Sequence, residues 1–121
     1  MNFYKEDLLD HYHHPRNQGC LAHCTHQSLM ANPSCGDKIQ FFMNVLDAKI
    51  EQIGFVVSGC VLSTAAASKL SEVVKKKDVS FVSSLNNDSM RALMGIEIGI
   101  NRMQCIILPL QALQNALLKR T

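Results

Sequence analysis

The chain has 121 residues, of which 47% are hydrophobic, and it carries a formal net charge of +2. This length and apolar content favour a single compact domain over residues 1–121 and leave little room for a second core. The small net charge excludes nucleic acid as the main partner, and no apolar run approaches the roughly 20 residues of a membrane helix. The first residues lack the basic and apolar regions of a secretory signal, so the cytoplasm is the expected location.

The first predicted element is a short amphipathic helix. Leu8, Leu9 and Tyr12 recur at helical spacing, and Pro15 ends the pattern. The histidines at the end of this helix are expected to be exposed: His11, His13 and His14.

Two cysteines and two histidines occur in the stretch after this helix. Their spacing matches no zinc pattern, and their neighbours are polar. The stretch is therefore interpreted as a mobile loop, with chance metal affinity as the weaker alternative. The four residues are Cys20, His23, Cys24 and His26.

The middle of the chain has the alternating pattern of a β-hairpin. Ser28–Ala31 predicts a brief strand, and Lys38–Leu46 predicts a longer one. A second alternating run, Ile53–Val57, follows a short connection at Asp47–Lys49, which indicates antiparallel pairing of the last two strands.

The second half of the chain is predicted to be helical. Apolar residues at helical spacing give a helix from Leu62 to Lys76, two short helices over Asp78–Leu85 and Asn86–Met94, and a last helix from Arg102 onward. Pro109 is expected to start or kink this last helix just after Cys105, because proline removes a backbone hydrogen bond from a helix interior.

One stretch carries the chemistry of the chain, Asn32-Pro33-Ser34-Cys35-Gly36-Asp37. Gly36 allows a tight loop with positive φ, so that Cys35 and Asp37 can turn toward one point. With Cys60 and Cys105, these two residues form a set of three thiols and one carboxylate, which suits zinc or iron-sulfur chemistry. Five cysteines in an intracellular chain also favour metal binding or catalysis over disulfides.

Two of these thiols are predicted to lie at helix N-termini. Cys60 precedes the Leu62–Lys76 helix, and Cys105 falls in the first turns of the last one. Backbone N–H groups and the positive end of the helix dipole favour a thiolate over a thiol at such positions. The small residues Ser63–Ser68 fit a packing surface against the sheet at least as well as they fit a direct chemical role.

The order of these motifs resembles the iron-sulfur cluster assembly scaffold family, which includes IscU and the NifU N-terminal domain. The elements occur in the family's order, at close to its spacing and over nearly the whole chain. They are Asp10-His11-Tyr12, Pro15-Arg16-Asn17, the Asn32–Asp37 stretch, Gly59-Cys60 before a small-residue helix ending in Leu70-Ser71-Glu72, and Cys105.

The resemblance implies a compact α+β domain with a three-stranded antiparallel sheet and helices packed on one face. It also implies a scaffold that accepts sulfur from a cysteine desulfurase, binds iron and transfers a [2Fe-2S] cluster to apo-proteins. Cys35, Cys60 and Cys105 would bind the cluster, with Cys35 and Cys105 as candidate persulfide acceptors that are exposed and ionised. Asp37 would ligate metal and keep the cluster exchangeable, and zinc could occupy the same site.

Some positions depart from the scaffold pattern. Gln104 stands where the scaffold subfamily has a histidine, and Gly99–Met103 replaces the Leu-Pro-Pro-Val-Lys segment that a dedicated chaperone recognises, so that partner is not implied. Arg102 resembles the SufU subfamily of zinc-containing sulfur acceptors, although the Cys60 to Cys105 interval is too short for that subfamily's insertion.

Three functional hypotheses follow from the sequence. The first is a non-enzymatic cluster scaffold, and the second is a zinc-containing sulfurtransferase that accepts sulfur from the desulfurase. The third is a protein-binding module whose metal only stabilises the fold. Persulfide formation and cluster transfer distinguish the three.

Overall fold

The computed structural model describes residues 3–33 and 36–118. Within these residues a three-stranded antiparallel sheet of order β1-β2-β3 is combined with five α-helices and one 3-10 turn. The elements in chain order are α1 Phe3–His13, β1 His26–Ala31, β2 Lys38–Leu46, β3 Lys49–Ser58, α2 Val61–Val74, α3 Val79–Ser84, α4 Asn87–Met94, the 3-10 turn Ile100–Arg102 and α5 Met103–Leu118.

The hairpin of β2 and β3 sets the register of the sheet. Asp47 and Ala48 both have positive φ, 53° and 63°, which is the conformation of a two-residue turn that matches the twist of paired strands. Phe41 lies opposite Phe55 in this hairpin, and both side chains are fully buried. The predicted antiparallel hairpin is therefore confirmed.

The helices cover the sheet as the resemblance implied. α2 packs against β3, α5 packs against β1 and β2, and α1 packs on α2. The apolar face of the sheet, which includes Ile39 and Met43, is buried beneath them with Leu70, Ile106 and Leu113 from the helices. Every helix in the described part of the chain is too short or too polar to span a bilayer.

The last helix starts close to the predicted Arg102, but Pro109 does not start it. α5 begins at Met103 and runs through Pro109, which is buried inside it. The helix therefore begins before Cys105, and the packing of α5 on β1, β2 and α2 offsets the backbone hydrogen bond that the proline lacks.

The prediction that all three histidines of α1 are exposed is wrong for His11. Its side chain is buried, and its Nδ1 lies 2.7 Å from the Ser68 hydroxyl on α2. Burial lowers the pKa of His11, which favours the neutral imidazole in this interface. The Arg16 amide donates to the same hydroxyl at 2.9 Å, so the chain after α1 is fixed to α2. His13 and His14 are exposed as expected.

The stretch with Cys20 and Cys24 lies against the sheet. The Gly19 amide donates to the Phe55 carbonyl at 2.7 Å, and the Thr25 amide donates to the Met43 carbonyl at 2.9 Å. The stretch therefore runs from β3 to the start of β1, and it contains no helix and no regular strand before β1.

A glycine is required where this stretch contacts β3. A Cβ atom at Gly54 would lie 2.4 Å from the Gly19 carbonyl oxygen, a contact with rigid backbone. We expect Gly54→Ala to lower the free energy of unfolding by about 1–3 kcal/mol through overpacking. Urea denaturation measures the change. Gly99→Ala is the matched control, because a Cβ there meets nothing within 4 Å, and equal losses in both variants would contradict this account.

Candidate metal centre

The register of the hairpin brings Asp37 next to the start of α2. Lys38 pairs with Ser58, so the residue before β2 and the residue after β3 lie side by side. The loop before β2 is closed by two backbone bonds of 2.8 Å, from the Asn32 amide to the Asp37 carbonyl and from the Gly36 amide to the Asn32 carbonyl. Gly36 has φ +77°, which confirms the predicted positive φ.

The Asp37 carboxylate is buried, with 4% of the residue exposed. Its Oδ1 accepts a hydrogen bond of 3.3 Å from the Cys60 amide. Its Oδ2 accepts a bond from the Ser63 hydroxyl, and the Cys60 thiol donates to the same oxygen at 3.7 Å. These donors all belong to the first turn of α2.

Asp37 therefore supplies the negative charge that α2 lacks at its N-terminus. Cys60 occupies the N-cap position, as predicted, but makes no side-chain capping bond, and the first turn of α2 contains no acidic residue. An anion at this end of a helix satisfies orphan N–H groups and interacts favourably with the helix dipole. The carboxylate has a structural role before any metal is considered.

Cys105 reaches the same point from α5. It lies in the first turn of that helix, and only 8% of the residue is exposed. Burial, followed by a hydrogen bond with the Cys60 thiol and the negative charges of Cys60 and Asp37, raises the pKa of Cys105 to about 12. The expectation of an exposed, ionised Cys105 is therefore wrong for the metal-free protein, because burial outweighs the helix end.

The three side chains form a group that fits a tetrahedral metal. The ligand atoms of Asp37, Cys60 and Cys105 all lie within 4.8 Å of one another. Two thiolates at the zinc–sulfur bond length of about 2.3 Å are separated by about 3.8 Å in a tetrahedron, so only small shifts are needed. Zinc or iron could bind here once the thiols lose their protons.

The remaining predicted residues have different outcomes. Cys35 lies outside the described residues, so its membership in the site stays a prediction. In the part of the chain that the structure describes, the group of metal-ligating side chains includes neither Cys20 nor Cys24. Their interpretation as loop residues without a metal role stays a prediction.

Gln104 is exposed. Its Oε1 accepts a hydrogen bond of 2.7 Å from the side-chain Nδ2 of Asn32. This bond ties the start of the Asn32–Asp37 loop to α5.

Sequence reasoning did not single out Ser63, which contacts both Asp37 and Cys60. The signal was available in the position of Ser63 three residues after an N-cap cysteine, where the first turn of a helix faces whatever caps it. Because the Ser63–Ser68 run was interpreted mainly as a packing surface, Ser63 was not considered as a contact of Asp37 or Cys60.

These features define a compact α+β domain in which a carboxylate and two thiols meet where the sheet joins α2 and α5. The chain belongs to the family described as NifU-like N terminal domain, whose model matches residues 3–120. The predicted family resemblance is thereby confirmed.

Individual relatives agree with this assignment. The chain is 32% identical to the iron-sulfur cluster assembly scaffold protein IscU of Aquifex aeolicus, over 94% of this chain and 73% of that one. It is 30% identical to the zinc-dependent sulfurtransferase SufU of Bacillus subtilis, over 96% and 90%. The N-terminal NifU-like protein of Brucella abortus has the same fold, with a TM-score of 0.79 at 15% identity over 94% of this chain and 91% of that one.

The capping role of Asp37 can be tested without metal. We expect Asp37→Ala to lower the free energy of unfolding of the metal-free protein by about 1–2 kcal/mol, because α2 loses its anionic cap. Chelator-treated protein in a urea titration gives the value. Asp88→Ala, an exposed acid in the first turn of α4, is the control and should change stability by less than about 0.5 kcal/mol. A loss no larger at Asp37 than at Asp88 would show that the cap is unimportant.

The close approach of Gly59 to Asp37 gives a second test. A Cβ atom at Gly59 would lie 2.7 Å from Oδ1 and 2.8 Å from Cγ of Asp37, so Gly59→Ala must displace the carboxylate. We expect zinc affinity to fall by about 10-fold, the lower end of the loss when the support of a metal ligand is removed. Competition with a chromophoric chelator measures the affinity, with Gly99→Ala as control. Unchanged affinity would mean that Asp37 does not ligate the metal.

Proposed function

We propose that this chain is a scaffold for iron-sulfur cluster assembly in the cytoplasm. In this role it accepts sulfur from a cysteine desulfurase, binds iron and transfers a [2Fe-2S] cluster to apo-proteins. The observation that carries the proposal is the group of Asp37, Cys60 and Cys105, with ligand atoms within 4.8 Å of one another in a chain of this family. The name of the Aquifex relative supports the same role.

The donor set suits a cluster that is held and then released. Thiolates are the usual ligands of iron-sulfur clusters, and Cys60 and Cys105 supply two of them. Asp37 adds a hard oxygen ligand, whereas iron-sulfur clusters prefer the softer thiolate ligands. The bond to Asp37 is therefore expected to be the weaker one. Because Asp37 also has donors in α2, it keeps hydrogen-bonding partners when the cluster leaves.

Sulfur transfer needs an accessible thiolate. The thiolate attacks the outer sulfur of the desulfurase persulfide, a new S–S bond forms on the acceptor, and the desulfurase cysteine leaves as a thiolate. Cys105 is buried, with 8% of the residue exposed, which disfavours it as the thiol that meets the desulfurase. We therefore propose Cys35 as the acceptor, with Cys105 as a cluster ligand.

The alternative function is a zinc-containing sulfur acceptor for the desulfurase. The observation that favours it is the fit of the same three ligands to a tetrahedral ion, together with the similarity to the zinc-dependent sulfurtransferase of Bacillus subtilis. Bound zinc would keep the thiols deprotonated. Cys35, Asp37, Cys60 and Cys105 would hold it.

Anaerobic reconstitution distinguishes these functions. The purified protein is incubated with ferrous iron, cysteine and a cysteine desulfurase, and visible spectra, iron and sulfide are measured. A charge-transfer spectrum with equal iron and sulfide, and transfer to an apo-ferredoxin, is expected for the scaffold. Retained zinc with a persulfide and no cluster would identify a sulfur acceptor. Absence of both cluster and persulfide would contradict both functions and leave a metal-stabilised binding module.

Cysteine variants test the individual ligands. We expect Cys35→Ser, Cys60→Ser and Cys105→Ser each to abolish cluster recovery, because each removes a thiolate ligand. Cys20→Ser and Cys24→Ser are matched controls and should retain the yield of the unaltered protein. Normal yield from Cys60→Ser and Cys105→Ser would exclude this centre, and a loss at Cys20 equal to that at Cys60 would show that the stretch before β1 takes part.

A further inference from the structure

We propose that Ser63 is a positioning residue that orients the Asp37 carboxylate for metal binding. The inference rests on the proposed metal site and concerns how the ligand is held. Ser63 is fully buried on α2, and its hydroxyl donates to Oδ2 of Asp37.

The geometry leaves Asp37 able to bind a metal while it is held. A carboxylate oxygen has two lone-pair positions, so Oδ2 can accept from Ser63 and still coordinate an ion. Oδ1 accepts from the Cys60 amide at 3.3 Å, so each oxygen of the carboxylate has its own donor at the N-terminal end of α2. Because the carboxylate is already held in place, metal binding does not have to restrict its rotation.

Ser63 also lies close to a second ligand. Its oxygen is 3.4 Å from the sulfur of Cys60. The hydroxyl carries a single proton, so it donates to Asp37 or to Cys60 but not fully to both. Removing the hydroxyl can therefore act through Asp37 or through Cys60. A test in which Asp37 is also replaced separates these two effects.

The variant Ser63→Ala removes the hydroxyl with little risk to the fold, because alanine has the highest helix propensity. We expect its zinc affinity to be about 10-fold to 100-fold lower than that of the unaltered protein, the usual loss when a group supporting a metal ligand is removed. Chelator competition measures the affinity. The visible spectrum of bound Co²⁺, which depends on ligand geometry, is expected to change as well.

A double-mutant cycle assigns the effect. In the Asp37→Ala background, Ser63→Ala should cause no further loss of zinc affinity, because the group it positions is gone. Ser68→Ala is the control, since Ser68 is another fully buried serine of α2 whose hydroxyl contacts His11 and the Arg16 amide instead. Ser68→Ala should lower thermal stability and leave zinc affinity unchanged.

Each result has one meaning. Equal affinity for Ser63→Ala and the unaltered protein overturns the positioning role, and so does an equal additional loss in the Asp37→Ala background. If the unaltered protein binds neither zinc nor Co²⁺ at these residues, the proposed metal site itself fails. Weaker binding that is confined to the background with an intact Asp37 supports the role of Ser63.

Discussion

The contact between the Asp37 carboxylate and the N-terminal end of α2 holds two of the candidate ligands, Asp37 and Cys60, next to each other. A buried carboxylate must find hydrogen-bond donors, and the N-terminus of a helix presents them. Asp37 reaches that end because Lys38 pairs with Ser58. A shift of one residue in this register would turn the alternating side chains to the opposite face of the sheet, and it would expose Phe41 and Ile39. The hydrophobic core therefore fixes the position of Asp37.

α5 completes the site under a different constraint. Cys105 is carried by a helix whose inner face, which includes the fully buried Ile106 and Leu113, packs against the sheet and α2. The same packing that places its sulfur beside Asp37 and Cys60 also excludes water and raises its pKa. Binding of the proposed metal would therefore require the loss of a proton from Cys105.

Local patterns predicted the hairpin and the loop, and ligand chemistry grouped Asp37, Cys60 and Cys105, which the structure brings together. The burial of individual side chains against distant residues was missed. Alternation along Lys38–Leu46 and the positive φ of Gly36 follow from neighbours in the chain, and both were predicted correctly. The burial of His11 depends on Ser68, 57 residues away, and no periodicity reveals that pair. For Cys105, the sequence predicted a place near a helix N-terminus, which favours a thiolate. It did not predict the burial of Cys105, which opposes ionisation.

The arrangement around Asp37 also explains how one site can suit both scaffold and sulfur-acceptor chemistry. Removing a metal from a buried site usually leaves an unpaired charge, which is costly in a low-dielectric interior. Here the Cys60 amide and the Ser63 hydroxyl are bonded to the carboxylate without metal, so release of a metal would leave Asp37 with hydrogen-bond donors. Cys105 can take up a proton at the same time, since its pKa lies well above neutrality. Both chemistries require a ligand set that can open without unfolding the chain, and a carboxylate shared between a metal and a helix end supplies one.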